Sequence, residues 1–254
     1  MENIQTVLEA LNTLLEPWKF KDYCPNGLQV EGRPEIRKIV TGVTACQALI
    51  ERAVEEDADM ILVHHGYFWK GEDSRVVGTK KRRLALLLNK EINLVAYHLP
   101  LDAHMELGNN ACLAKLLGIK VKQALVQGED PAVGFIGELE EPCFADELTE
   151  KIAVVLQRKP MFISGHDRHE KIHSIGWCSG AAQGYIDHAI TQGVDAYLSG
   201  EISEHTVHTA RENGIHYFAA GHHATERYGV QALGEYLADK FSLEHQFIDI
   251  DNPV

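Results

Sequence analysis

His64 and His65, Asp102, His222 and Glu226 have the types and spacing of a metal site. On a strand, neighbouring side chains point to opposite faces, but just past a strand end that rule relaxes and two adjacent imidazoles can serve two neighbouring ions. His222 and Glu226 stand four apart and share one face of a helix. Three imidazoles and two carboxylates exceed the three protein ligands of one open catalytic zinc, yet they do not saturate two ions. Open positions for water or substrate are therefore expected. A nitrogen–oxygen set without thiolate suits two divalent ions drawn from Zn, Fe, Mn, Co or Ni. Two dications against two carboxylates leave a net positive charge, which favours hydroxide or a small anionic substrate. The expected chemistry is metal-dependent hydrolysis, with activated water attacking an electrophilic carbon or phosphorus.

Other polar groups flank this set. His98 lies beside a ligand-bearing strand end; it is a candidate for proton transfer or substrate contact, or for a hydrogen bond that orients Asp102. Glu201 and His208 are expected to stand behind the ligands. His166, His169 and His173 fall in the charged stretch SGHDRHEKIH and read as solvated. Gly176-Trp177-Cys178-Ser179-Gly180 has the layout of a nucleophile elbow, but so short a match reads first as a glycine-rich strand-to-helix turn. The backbone N–H groups of Ser179, Gly180 and Ala181 are a candidate phosphate cradle. Neither a Walker loop nor G-x-G-x-x-G occurs, so ATP-driven and Rossmann chemistry are not supported.

The elements that must position these groups follow from periodicity. Ile4, Val7, Leu8, Leu11, Leu14, Leu15 and Trp18 form an amphipathic helical stripe. Apolar runs at Ile39–Val43, Met60–Val63 and Ile92–Ala96 read as strands. Between the first two, Thr44 with Gln47 reads as a capping box opening a helix. Helices are expected near 81–89, 109–117 and 203–213. This is a βαβ succession, which builds parallel sheets. An internal echo pairs ERAVEEDAD (51–59) with DHAITQGVD (187–195), and INLVAYHLPLD (92–102) with IHYFAAGHHATE (215–226). The fold class expected is α/β: two related α/β domains with mixed, largely parallel sheets. The metal site is expected at strand C-terminal ends, where α/β sheets place ligands, between the domains. The Gly-, Pro- and acid-rich stretch 128–142 suggests a boundary. Residues 1–128 plus 218–254 are expected to form a discontinuous first domain, and 129–217 a second.

Composition narrows the function classes. Lys and Arg number 24 against 37 Asp and Glu, a net charge of −13, which argues against a nucleic-acid duplex or anionic-membrane surface. No apolar stretch is long enough to span a membrane. The first twenty residues lack the basic and apolar regions of a signal peptide. The five cysteines include no CxxC pair and suit a reducing compartment. A cytoplasmic location is expected.

The segments LVHHGYFW (62–69), HLPLDAHMELGNN (98–110), LSGEISEH (198–205), AAGHHATERYG (219–229) and the early NGLQV (26–30) resemble, in order and spacing, the GTP cyclohydrolase 1 type 2 or YbgI-like family of dinuclear-metal proteins. The resemblance covers nearly the whole chain, in the short form without an inserted domain. It implies a two-domain α/β fold, a ring-shaped homohexamer, and metals held by His64, His65, Asp102, His222 and Glu226. His222 is chosen over His223 because the family's ligand is the first His of GHHATE. The substrate it implies is a guanine nucleotide, opened by hydrolysis at C8, or a related damaged nucleotide. The alternative is a non-enzymatic, ring-shaped metal-binding scaffold that engages a protein partner.

Overall fold

Short aliphatic runs without polar alternation, such as Lys38–Thr44 (KIVTGVT) and Met60–His65 (MILVHH), form strands that are buried along nearly their whole length, as parallel strands covered by helices must be. The computed structural model describes residues 1–165 and 170–254. Its contacts divide the chain into two units: Met1–Leu101 with Gly229–Asp251, and Asp102–Tyr228 with Asn252–Val254. Each is a mixed α/β unit with a largely parallel central sheet. The stretch 166–169, which includes His166 and His169, lies outside the described residues.

In the first unit the sheet order is Glu244–Phe247, Lys38–Thr44, Met60–His65, Asn93–Ala96 and Gly27–Val30. The first four strands run parallel and the last is antiparallel. Helix Gln47–Glu55 buries Leu49, Ile50 and Ala53, and helix Gly78–Asn89 buries Leu84 and Leu87. These side chains share one core with Val40, Ile61, Val63 and Leu94. Gly42 is what lets a helix lie so close: a Cβ there would stand 2.7 Å from Leu49 Cδ2. Asp59, only 1% exposed, ties the strand entrances together. Its carboxylate accepts from the backbone N–H groups of Arg37 (2.7 Å) and Lys38 (3.1 Å) and from Arg33 Nη1 (3.0 Å).

The second unit has the order Ile119–Ala124, Phe135–Cys143, Ile172–Cys178, Ala196–Ser199, His216–Ala219 and Met161–Ile163. Its central three strands are parallel and the flanking ones antiparallel. Helices Asn109–Leu117 and Ala145–Leu156 pack on one core with Trp177, Leu198 and Phe218. The internal echo in the sequence corresponds to a repeated strand–helix–strand–helix–strand succession. In the first unit it is built on Lys38–Thr44, Met60–His65 and Asn93–Ala96. In the second it is built on Ile172–Cys178, Ala196–Ser199 and His216–Ala219.

Two local expectations are corrected. Thr44 does not cap a helix. It ends its strand, and the helix begins at Gln47 after Cys46, which makes no side-chain cap; Gln47 Nε2 instead donates to Glu51. The first helix, Ile4–Leu15, closes before Trp18, which is 66% exposed in the turn Pro17–Lys19. Pro17 cannot continue a helix, so the apolar stripe outlasts it. Among the described residues no helix is long and apolar enough to cross a membrane.

Candidate metal centre

Metal-type donors in each unit follow the C-terminal ends of parallel strands, the edge at which α/β sheets hold ligands. In the first unit these are His64 and His65, which end one strand, and His98, two residues past Asn93–Ala96. One ring nitrogen from each of the three lies within 4.8 Å of the others. His64 is fully buried, and its Nδ1–H donates to the Tyr97 carbonyl at 3.0 Å. That bond fixes the tautomer with Nε2 as the lone-pair nitrogen. His65 Nδ1 stands 3.1 Å from the Thr44 hydroxyl, on the neighbouring strand. This contact is where Thr44 is used in place of a helix cap. Gln29 steadies the loop that follows, accepting from Tyr67 N (2.7 Å) and donating to Tyr67 O (3.2 Å).

His98 does not turn toward Asp102. Its Nδ1 bonds to Asp22 Oδ1 at 2.7 Å, and its backbone N–H donates to Asn26 Oδ1 at 2.7 Å. Burial works to raise the Asp22 pKa. The hydrogen bonds from His98 and Asn26 and the His98 charge outweigh it, so the carboxyl sits below its ordinary range. Cys24 lies in the same group of possible ligands as Asp22 and His98. Burial, reinforced by the Asp22 charge, pushes its thiol up to about 12. In the absence of a metal Cys24 is therefore an inert thiol.

In the second unit Asp102, His222 and Glu226 form the donor set. His222 Nε2 stands 3.2 Å from Glu226 Oε2, on the first turn of helix His222–Phe241. A carboxylate oxygen of Asp102 lies within 4.8 Å of one from Glu226. Asp102 Oδ1 accepts from Asn109 Nδ2 (2.8 Å) and Ser179 Oγ (3.1 Å). Glu201 sits behind His222, its Oε1 accepting from Nδ1–H at 2.7 Å. A carboxylate behind a histidine in this way orients the ring and raises its basicity. Burial alone would lower the His222 pKa. The Glu226 and Glu201 carboxylates outweigh burial and carry it up to about 9.

Gly180 makes room for this set. A Cβ on it would collide with the Glu226 carboxylate and stand 3.1 Å from His222 Nε2, and its φ of +64° is one that L side chains rarely adopt. The turn is held by its own backbone: the Gly200 and Glu201 N–H groups both donate to the Gly180 carbonyl, at 2.9 and 3.1 Å.

The remaining candidates separate. His208 is on the exposed side of helix Glu204–Glu212, 3.2 Å from Glu204. His173 is exposed. The elbow-like turn is neither nucleophile nor phosphate cradle. Cys178 is buried, with Sγ 3.4 Å from the Val133 carbonyl, and burial pushes its pKa well above the ordinary thiol value. The Ser179 and Gly180 N–H groups are used internally, by Asn110 Oδ1 (2.9 Å) and Thr225 Oγ1 (3.0 Å). Sequence reading assigned no role to Asp22, Asn109 or Asn110. The last two do lie in HLPLDAHMELGNN, seven and eight residues after Asp102.

The donors fit divalent metal ions. Imidazole and carboxylate groups are gathered at strand ends, the His64 tautomer is fixed by Tyr97, the His222 ring is oriented by Glu201, and Gly180 keeps the space beside Glu226 clear of a side chain. Comparison with known proteins gives matches over nearly the whole chain. The family profile described as Duf34/NIF3 (NGG1p interacting factor 3) matches residues 2–253. A Pseudomonas aeruginosa protein named GTP cyclohydrolase 1 type 2 homolog is 56% identical over 250 residues, 98% of each chain. A Vibrio cholerae protein of the same name is 54% identical over the full length of both. Among solved structures, the ybgI protein, described as of unknown function, superposes with a TM-score of 0.95 at 48% identity over all of both chains. A Thermus thermophilus protein does so at 0.90 and 31%, again over all of both.

Proposed function

This chain belongs to the Duf34/NIF3 family, and we propose that it is a dinuclear metal-dependent hydrolase. In this reading His64, His65, Asp102, His222 and Glu226 hold two divalent ions of the Zn, Fe, Mn, Co or Ni class. The observation that carries it is the gathering of oriented imidazole and carboxylate donors just past strand ends. Neither set alone resembles a complete site: one offers three imidazoles, the other two carboxylates and an imidazole. Imidazole and carboxylate donors are the mixed nitrogen–oxygen chemistry of hydrolytic dinuclear sites.

When bound, the ions supply Lewis acidity and bring water toward ionisation near neutral pH. The chain's own groups do the rest. Tyr97 and Glu201 keep His64 and His222 in the tautomers that present Nε2. Asn109 and Ser179 hold the Asp102 carboxylate in place. His98 meets substrate or moves a proton. The names of the relatives suggest a guanine nucleotide or a related damaged nucleotide as substrate, opened by hydrolysis. We place the protein in the cytoplasm as a homohexamer, in line with the resemblance of its motifs.

Two measurements test this reading. Metal analysis of the purified protein is expected to find about two ions per chain. Incubation of the metal-loaded protein with GTP and related nucleotides is expected to give hydrolysis that Asp102→Ala abolishes. The family description names an interaction and no reaction, which favours a second reading: a ring-shaped metal-binding scaffold for a protein partner. Full metal occupancy without turnover of any nucleotide, together with a specific partner, would establish that reading instead.

A further inference from the structure

Asp22 is nearly buried, with 4% of its side chain exposed, and receives four hydrogen bonds. Oδ1 accepts from Tyr23 N (2.6 Å) and His98 Nδ1 (2.7 Å); Oδ2 accepts from Asn26 Nδ2 (2.9 Å) and Leu99 N (3.0 Å). Two of these donors are backbone groups, one on each oxygen. The His98 ring is also held at its other boundaries. Its backbone N–H is fixed by Asn26, and Trp69 packs edgewise at 5.0 Å and 83°. Trp69 is itself tied by Nε1 to the Gly66 carbonyl at 3.1 Å. Ring centroids of His64 and His65 lie 5.0 and 5.7 Å from that of His98.

We propose that Asp22 is a positioning residue that fixes His98 as the Nδ1–H tautomer and presents Nε2, as the lone-pair nitrogen, beside the His64–His65 pair. A carboxylate can only accept, so the ring must donate from Nδ1. With Nδ1 committed, Nε2 is the atom that meets water or substrate. The consequence rests on the reading of His98 as a substrate-meeting group; the positioning itself does not. Asparagine cannot substitute. Whichever way its amide is turned, its NH2 faces a backbone N–H, that of Tyr23 or that of Leu99. The least costly escape for the ring is to rotate or to change tautomer, the failure known when an orienting aspartate becomes asparagine.

The test reads the His98 ring directly. Full-length protein labelled with 15N is prepared metal-free and zinc-loaded, and the His98 imidazole is assigned with a His98→Gln variant. The wild type is expected to show a protonated Nδ1 and a pyridine-type Nε2. Asp22→Asn is expected to lose that signature, and Asp22→Glu to restore most of it, with zinc content within twofold throughout. A wild-type ring protonated at Nε2 overturns the proposal, and so does a signature unchanged in Asp22→Asn. The wild-type spectrum decides even where a variant does not fold. GTP turnover separates the two readings: Asp22→Asn is expected to lower kcat roughly 10–100-fold. If the tautomer is as proposed but His98→Gln turns over GTP at the wild-type rate, the substrate-meeting reading of His98 falls and the positioning stands.

Discussion

Raising the pH should strengthen metal binding and weaken the metal-free protein, and both effects trace to His222. Its folded pKa of about 9 lies two units above pH 7. A metal ion binds the neutral imidazole, so at pH 7 it must displace a proton held by Glu226 and Glu201. At about 1.4 kcal/mol per unit, that displacement costs about 3 kcal/mol. The cost falls away as pH approaches 9, so affinity through this ligand should rise about tenfold per pH unit well below that pKa, and about 50-fold in all from pH 7 to 9. For the metal-free protein the sign is opposite. A pKa raised above 6.5 stabilises the fold fully below pH 6.5, and that contribution, about 3 kcal/mol, is lost as pH rises through about 9. Calorimetric titration of manganese(II) into metal-free protein, in two buffers of different ionisation enthalpy, reads both the affinity and the protons released. About one proton from His222 is expected at pH 7, falling to about half a proton at pH 9. Thermal unfolding in chelator should show stability declining over the same window. An affinity flat from pH 7 to 9, or no proton released at pH 7, would refute the account of His222 as an imidazolium clamped between two carboxylates.

Three substitutions separate site from scaffold. Gly180→Ala forces a Cβ against Glu226 and His222 at a left-handed φ; metal affinity is expected to fall at least tenfold, with about 1–3 kcal/mol lost from unfolding. Gly42→Ala overpacks Leu49 in the first unit's core and should cost about 1–3 kcal/mol in a denaturant titration while leaving metal content unchanged. Asp59→Ala strips the acceptor from Arg33, Arg37 N and Lys38 N; a loss of about 3 kcal/mol is expected, again with metal content intact.

Much of the candidate site was legible because its residues follow strands of unmistakable hydrophobicity. MILV runs straight into His64-His65, and HYFA is followed three residues later by His222. One apolar run ending in a histidine reads as a satisfied strand end, and it is the agreement of three strand ends that points to metal. The Glu201–His222 bond was legible in outline, since both residues follow strands that echo the first half of the chain. Asp22 was not. Nothing in KDYCPNG marks a carboxylate whose partner is His98, 76 residues on, and a lone acid in a polar loop reads as solvated.

Local pattern and tertiary contact thus decided different things. The sequence by itself determined the strand–helix alternation, its repetition in two halves, and the residue types brought to the strand ends, because periodicity and side-chain chemistry are properties of neighbours along the chain. Tertiary structure decided how individual polar groups are used. Thr44 meets His65 instead of capping a helix, His98 bonds to Asp22 rather than Asp102, the Ser179 and Gly180 amides serve Asn110 and Thr225 rather than a phosphate, and the Ile119–Ala124 strand joins the second unit's sheet. A hydrogen-bonding group takes whichever partner the fold brings within about 3 Å, and that distance is set by chain segments far apart in sequence.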